Sequence, residues 1–219
     1  MINEDKFLIY YNYLVEENKK YNLTSITEKE EAYIKHFEDS LAMDKTINLS
    51  GDIKVCDVGS GAGFPGIPLK IEHSNIDLTI IEPTKKRAEF LSNIVNILNL
   101  NNVHIYNERA EDYGKKKRSE FDVVCARAVS ETPILLELLA PLCKVGGRII
   151  LYKGEKGLEE LDASKKALKE LNLSVQNIYK YSLSKNMGNR VLVIITKDKE
   201  INNKYPRRYA EIKHKPLWI

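Results

Sequence analysis

Between residues 53 and 153 the chain alternates apolar, β-branched runs with segments of helical spacing. The apolar runs are nearly continuous, which is typical of parallel strands that are buried on both faces of a sheet. Parallel neighbours need long crossover connections, and the helical segments supply them. The pattern therefore predicts a doubly wound α/β sheet. The predicted strands, in chain order, are IKVCDV, LTIIE, VHIYN, FDVVCA and GRIILYK.

The alternation ends after Lys153. A helical segment, GLEELDASKKALKELN, leads to the run LSVQNIYKYSL, and the turn signal NMGN separates that run from RVLVIIT. A connection this short joins antiparallel neighbours, because a parallel crossover needs about a dozen residues or more. The sequence therefore predicts that the sheet ends in an antiparallel hairpin.

The segments on either side of the sheet differ from it in pattern. Two helices are predicted before the first strand, one over residues 3–20 and one that begins near Thr27, where TEKE has the form of a capping box closed by Glu30. The chain after Lys199 is basic and follows without a flexible linker. We therefore expect an N-terminal helical cap, a sheet domain and a packed C-terminal extension, at residues 1–50, 51–198 and 199–219.

Size and composition limit the class of protein. A chain of 219 residues, 43% of them hydrophobic, can bury a substantial core as one domain with a small extension. The start, MINEDKFLIY, lacks the order of a signal peptide, and no run reaches the roughly 20 apolar residues of a membrane span. We therefore expect a cytoplasmic monomer without a membrane partner. Cys56, Cys125 and Cys143 lie in or beside apolar segments without metal-ligand spacing, which predicts buried, reduced thiols and no metal site.

The first strand runs directly into DVGSGAGFPG, which has four glycines in ten positions. One reading, GxGxxG from Gly61 to Gly66, is the dinucleotide fingerprint and would indicate a nicotinamide-dependent oxidoreductase. The other, D-x-G-x-G-x-G from Asp57, is the loop of S-adenosylmethionine (SAM) enzymes. A pyrophosphate would lie near carboxylates, and Pro65 lacks an N–H for phosphate, whereas SAM carries two cationic groups and no phosphate. The charges favour SAM, with contacts predicted at Asp57, Gly59, Gly61 and Gly63.

Three further strand ends carry candidate cofactor residues. Glu82 ends the second strand, where a carboxylate can hold ribose hydroxyls, although a solvated strand-end acid remains an alternative. Ala110 and Glu111 follow the third strand, where they can meet an adenine ring. Arg127 closes the fourth strand and must reach an anion, which is either a cofactor carboxylate, an RNA phosphate or a structural partner.

The fourth strand end also excludes other methyl-transfer chemistry. Enzymes that methylate exocyclic amines of bases carry an Asn/Asp-Pro-Pro-aromatic turn there, and CARAVS is not one. Cytosine-carbon methylation needs a cysteine nucleophile, whereas Cys125 precedes Ala126 inside an apolar strand, which is typical of a core residue.

Basic residues cluster locally although the formal net charge is only +3. A near-neutral total with local clusters permits a polyanionic partner such as RNA, while a solvated basic face is the alternative. A catalytically inactive RNA-binding module would keep the same clusters. The predicted RNA-binding residues are Lys85, Lys86, Arg87, Lys153, Arg190, Arg207 and Arg208.

Taken together, these segments closely resemble the RsmG (GidB) family of small-subunit ribosomal RNA guanine-N7 methyltransferases. The resemblance covers nearly the whole chain through NLTSI, HFEDSL, DVGSGAGFPGIPL, RAE, FDVVCARAV, LYKG and YPRR. It implies a class I SAM-dependent methyltransferase fold with seven strands, the last antiparallel, and methylation of guanine 527 in 16S rRNA. The cofactor contacts that it implies are Gly59, Phe64, Ala110, Glu111 and Arg127. The tail departs from the family after YPR, since RYAEIKHKPLWI replaces the usual glycine and proline.

Guanine N7 has an in-plane lone pair and no hydrogen, so its methylation needs no general base. We expect catalysis by positioning, with no dedicated catalytic side chain and Arg127 as a possible contributor. The four histidines of the chain fit this expectation, and His36 is the residue to test as a base.

Overall fold

A computed structural model describes residues 3–217, and it contains one seven-stranded sheet. The strands are β1 (Lys54–Val58), β2 (Asp77–Ile81), β3 (Val103–Tyr106), β4 (Phe121–Arg127), β5 (Cys143–Lys153), β6 (Leu173–Ser182) and β7 (Asn189–Lys197). Their spatial order is β3-β2-β1-β4-β5-β7-β6. β1 to β5 pair in parallel, whereas β7 is antiparallel to both β5 and β6. The predicted parallel strands, the hairpin and the antiparallel last strand are confirmed.

The helices lie on both sides of this sheet and before it. Their bounds are α1 (Glu4–Tyr21), α2 (Lys29–Ala32), α3 (Asp39–Leu41), α4 (Gly66–Glu72), α5 (Lys85–Ile97), α6 (Ala110–Lys116), α7 (Thr132–Leu139), α8 (Gly157–Asp162), α9 (Lys165–Glu170) and α10 (Tyr209–His214). One long helix was predicted between β5 and β6, but the chain forms α8 and α9. The Ser164 hydroxyl, between them, donates to the carbonyl of Glu160.

Two apolar clusters cover the two faces of the sheet. One contains Phe7, Tyr10 and Leu14 of α1 together with strand residues, and the other contains α7, α9 and the C-terminal segment. α1 is therefore part of the main core. The Tyr10 hydroxyl also donates to the carbonyl of Ala62 in the glycine-rich loop, so the N-terminal cap supports that loop directly.

The second N-terminal helix differs from its prediction in cap and in form. Glu28 is the N-cap, and its carboxylate accepts hydrogen bonds from the N–H groups of Glu30 and Glu31, so the predicted capping box at Thr27 is wrong. The helix then widens into a π-helical turn over Tyr33–Glu38 before α3. Such turns are rare and are frequent at functional sites.

The C-terminal extension packs against α7 and the core. Tyr205 and Ile212 are buried in the cluster that contains α7, and Arg118 donates a hydrogen bond to the carbonyl of Tyr205. Residues 1–2 of the expected N-terminal cap and residues 218–219 of the expected extension lie outside the described residues. The three cysteines are buried and unpaired, as predicted. Within residues 3–217, no helix is long and apolar enough to cross a membrane.

Candidate functional site

The glycine-rich loop joins β1 to α4 at the carboxyl edge of the sheet. Gly59, Gly61 and Gly63 have φ values of +69°, +61° and +104°, which L side chains rarely adopt. A Cβ on Gly63 would collide with the Tyr10 hydroxyl, and one on Gly59 would lie 2.7 Å from a methyl of Val129. A Cβ on Gly61 would have no heavy atom within 4 Å. The loop therefore keeps its backbone close to α1 on one side and accessible on another.

Asp57 supports this loop from behind. Its side chain has no exposed surface, and its Oδ2 accepts hydrogen bonds from the Ser60 hydroxyl and from the Gly66 N–H, the latter at 2.8 Å. Burial raises the pKa of Asp57 to about 6, although the hydrogen bonds from Ser60 and Gly66 act in the opposite direction. Asp57 was predicted as a cofactor residue, and its geometry lets it act on a ligand only through the loop that it orders.

Glu82 holds the front of the same loop. Its Oε2 accepts a hydrogen bond from the Gly61 N–H and its Oε1 accepts one from the Thr84 N–H, both at 2.9 Å. The residue is 2% exposed. A carboxylate has about four lone-pair sites, so two remain for other donors, such as ribose hydroxyls.

A small cavity of about 110 Å³ opens beside Gly59. Ala110 and Glu111, both predicted to meet an adenine ring, line it together with Tyr209 of the C-terminal extension. Glu111 is only 5% exposed, and within residues 3–217 no side-chain hydrogen bond or ion pair engages it. Its carboxylate is therefore available to a donor on a ligand.

Arg127 ends β4 and points beneath the N-terminal cap. Its Nη1 donates to Oδ2 of Asp39 at 2.9 Å and to the carbonyl of Lys35 at 3.0 Å. Its guanidinium carbon lies 5.0 Å from the ring centre of Phe64. Of the three anions left open by the sequence, the one that Arg127 reaches here is the structural partner, Asp39.

Phe64 and His36 form a stacked pair next to Arg127. Their ring centres are 4.3 Å apart at an angle of 13°. The His36 Nε2 lies 2.9 Å from the Thr24 hydroxyl, and its Nδ1 lies 3.4 Å from Arg127, which can only donate. Burial, assisted by the charge of Arg127, lowers the pKa of His36 to about 3. His36 is therefore neutral near pH 7, with both ring nitrogens engaged.

A cleft of about 640 Å³ lies between the cap and the ends of β4 and β5. Lys153 in its wall is 9% exposed and bonds Glu160 at 2.7 Å and the Ser130 carbonyl at 2.9 Å. Arg190 lies 3.7 Å from Asp39, whose Oδ1 also accepts a hydrogen bond from Tyr181. Sequence reasoning missed Asp39, Glu160 and Tyr181.

The other predicted RNA-binding residues divide into two groups. Lys85, Lys86 and Arg208 are exposed, and Arg87 is half-buried. Arg207 instead forms two side-chain hydrogen bonds, at 2.8 and 2.6 Å, with the fully buried carboxylate of Glu137. Arg207 and Lys153 are each paired with a carboxylate of the protein, so this geometry gives no support to RNA binding by them, which stays a prediction.

Comparisons with known sequences show what this chain is similar to. The sequence model of the GidB family, described as rRNA small subunit methyltransferase G, matches residues 3–189. Ribosomal RNA small subunit methyltransferase G of Staphylococcus saprophyticus is 43% identical over 98% of this chain and 90% of its own length. That of Carboxydothermus hydrogenoformans is 45% identical over 95% of this chain and 89% of its own.

Solved structures show the same fold at low identity. A SAM-dependent methyltransferase from Aquifex aeolicus has a TM-score of 0.59 at 16% identity, over 80% of this chain and 97% of its own. Geranyl diphosphate C-methyltransferase from Streptomyces coelicolor, solved with Mg²⁺, geranyl diphosphate and S-adenosyl-L-homocysteine, has a TM-score of 0.56 at 13% identity, over 73% of this chain and 78% of its own. The seven-stranded sheet is therefore that of class I methyltransferases.

Proposed function

Because the chain belongs to the GidB family, rRNA small subunit methyltransferase G, and is thus a SAM-dependent rRNA methyltransferase, we propose that it methylates N7 of guanine 527 in 16S rRNA. The observation that carries this proposal is a junction of two cavities at Val129, which lines both the small apolar cavity beside Gly59 and the large charged cleft beside Arg127. An adenosine group in the small cavity would direct a methionine group toward the cleft, where a base can enter.

The residues around the loop fit SAM better than a dinucleotide. Glu82 and Glu111 are acidic, which favours a cationic ligand over a pyrophosphate. The N–H groups of Gly61 and Gly66, which a phosphate would need in the GxGxxG reading, already donate to Glu82 and Asp57. The nicotinamide-dependent oxidoreductase is therefore the weaker alternative.

SAM, when bound, supplies an electrophilic methyl group. The protein has to hold the target base beside it, and guanine N7 needs no deprotonation before it accepts the methyl group. His36 has no unengaged nitrogen to act as a base, and positioning alone can contribute roughly 7 to 11 kcal/mol in favourable cases. Asp39 and Glu160 line the cleft, and each is already paired with a cation of the protein, Arg127 and Lys153 respectively. Arg127 contributes by holding Asp39 and the cap in place.

The RNA surface that we propose lies at the start of α5. Lys86 sits 5.7 Å from the ring centre of Tyr21, which is 38% exposed at the end of α1. Exposed cations beside an aromatic ring suit a single strand of RNA, through phosphate contacts and base stacking. A protein with this substrate works in the cytoplasm, and we propose that it does so as a monomer with 16S rRNA or the small subunit as its partner.

The test is to incubate unmodified 16S rRNA, naked and in assembled small subunits, with methyl-labelled SAM and to map the label. We expect one methyl group per RNA, at N7 of guanine 527. Label on an exocyclic oxygen or amine would contradict the substrate assignment. SAM binding without transfer to either substrate would identify a non-catalytic RNA-binding module, and binding of a nicotinamide cofactor in place of SAM would identify an oxidoreductase.

A further inference from the structure

The C-terminal extension is fixed against the sheet domain just before α10. Arg207 forms its paired hydrogen bonds with the fully buried Glu137, and its backbone N–H donates to the same carboxylate at 3.0 Å. Tyr205 is 4% exposed, and its hydroxyl donates to Glu170. These contacts set the position of Tyr209, only two residues further along the chain.

Tyr209 contributes its ring to the small cavity beside the glycine-rich loop. The guanidinium carbon of Arg109 lies 5.4 Å from the ring centre, and both residues line the cavity with Gly59 and Glu111. The remaining walls are mostly apolar and come from the ends of the strands, the start of α6 and α7. They are Val58, Ile81, Pro83, Ala110, Val129 and Leu138.

The chemistry of this cavity suits the base of an adenosine. A purine is flat and aromatic, so it packs well against apolar side chains and a tyrosine ring. Adenine also carries an exocyclic amine, which is a donor, and among the described residues no side-chain hydrogen bond or ion pair engages the Glu111 carboxylate in the cavity wall. This carboxylate can therefore accept a hydrogen bond from a ligand that brings a donor into the cavity.

We infer that Tyr209 forms the outer wall of the adenine site, so that the C-terminal extension completes the cofactor site. This inference rests on the proposed function, because it assumes that the cavity beside Gly59 receives the adenosine of SAM. It gives the C-terminal extension a role beyond packing against the core. The anchor at Arg207 and Glu137 then positions a cofactor contact as well as stabilising the fold.

The experiment measures binding of SAM, S-adenosylhomocysteine and methylthioadenosine to the full chain by calorimetry. Tyr209→Ala should weaken all three by about tenfold, since aromatic stacking on a base is worth roughly 1 to 3 kcal/mol and tenfold is about 1.4 kcal/mol. Tyr209→Phe should bind all three like the wild type. Lys213→Ala, an exposed change on the same helix, should also leave binding unchanged.

The three ligands share adenosine and differ at the methionine end, so an equal loss for all three locates the effect at the adenosine. RNA affinity should stay unchanged in Tyr209→Ala. If Tyr209→Ala does not fold, Tyr209→Leu replaces it. Weak binding of the three ligands by Tyr209→Leu, with wild-type binding by Tyr209→Phe, then supports the inference.

Wild-type affinity in Tyr209→Ala or Tyr209→Leu would overturn the inference, and so would equal losses in the Phe and Leu variants. A wild-type chain that binds none of the three ligands would instead overturn the proposed function. The two failures are therefore distinguishable.

Discussion

The start of α5 and the cleft beneath the N-terminal cap both carry basic side chains, but their surroundings differ. At α5, the Lys85 side chain is 83% exposed, and its nearest carboxylate, on Glu89, is 3.9 Å away. In the cleft, Arg127 lies 2.9 Å from Asp39 and Lys153 lies 2.7 Å from Glu160. The cations of the cleft are neutralised within the protein, whereas those of α5 are exposed to an external anion.

The C-terminal extension repeats this contrast in two adjacent residues. Arg207 is paired with a carboxylate that has no exposed surface, while Arg208 is exposed. A cluster of basic residues in the sequence is therefore not by itself a binding surface. A buried carboxylate elsewhere in the chain can form an ion pair with one residue of the cluster, while the adjacent residue stays exposed to a ligand.

The helix dipole strengthens the case for a functional cluster at α5. Lys85, Lys86 and Arg87 occupy its first turn, where a positive charge is unfavourable by typically 0.3 to 1 kcal/mol. The cluster therefore does not serve the stability of α5. An RNA phosphate would remove this unfavourable charge interaction.

The largest effect that we predict is on the free energy of unfolding, and it concerns Arg207, which is paired with a buried carboxylate. Arg207→Ala should lower the free energy of unfolding by about 3 to 5 kcal/mol, because it leaves the buried Glu137 carboxylate without its cation. Arg208→Ala should change it by less than about 0.5 kcal/mol, as expected for an exposed side chain. Urea unfolding of the two variants measures both values.

The double variant Glu137→Gln with Arg207→Ala serves as the control for this prediction. It should recover part of the loss, since no buried charge is left unpaired. A small loss of stability in Arg207→Ala together with a weaker salt dependence of RNA binding would contradict the distinction between paired and exposed cations, because Arg207 would then behave like an exposed cation.

A smaller effect concerns a buried carboxylate that has no cationic partner. The pKa of Asp57 is raised from its ordinary value of 3.8 to about 6, so the folded protein holds this proton more tightly than the unfolded chain does. The resulting stabilisation is greatest below about pH 4 and is lost as the pH rises through about 6. Asp57→Asn lacks this dependence. Its stability relative to the wild type should rise by about 2 kcal/mol between pH 4 and pH 7, at about 1.4 kcal/mol per pKa unit.

Chemical unfolding at several pH values measures this difference. Asp52→Asn, at an exposed position just before β1, is the matched control and should show almost no pH-dependent difference from the wild type. If the free energy of unfolding of Asp57→Asn also changes with pH as that of the wild type does, the Asp57 carboxyl group is not desolvated in the folded protein, which contradicts its buried place behind the loop.

The smallest effect is predicted for the chemical step. Because the nitrogens of His36 are engaged by Thr24 and Arg127, the single-turnover rate at saturating RNA and SAM should be nearly flat between about pH 6 and pH 9. A required base would give a limb of up to tenfold per pH unit below its pKa. A limb that disappears in His36→Gln would contradict transfer by positioning alone.

Much of the fold could be predicted from local pattern. The strand runs, the short turn between β6 and β7 and the glycines with positive φ all leave signals within a few residues. The ion pairs leave none, since Arg127 and Asp39 are 88 positions apart, and Arg207 and Glu137 are 70 apart. Ion pairing at such separations depends on the completed fold. The same reason explains why Tyr209, far from the loop in sequence, was not predicted at the small cavity.

The predicted N-cap residue of the second N-terminal helix was wrong for a different reason. Thr27 and Glu28 are adjacent, and either side chain can accept hydrogen bonds from the first turn of a helix. The Glu28 carboxylate accepts two, which also lowers its pKa, and a one-residue shift of this kind is beyond the resolution of a sequence pattern.

The most direct test of the division between paired and exposed cations is the salt dependence of 16S rRNA binding. The double variant Lys85→Ala with Lys86→Ala should flatten the slope of log K against log salt by about two units, at roughly one unit per phosphate contact, with SAM affinity unchanged. Lys165→Ala with Lys169→Ala, which removes the same charge from exposed positions on α9, should leave the slope as in the wild type. An unchanged slope in the α5 variant, or an equal change in both variants, would contradict the account.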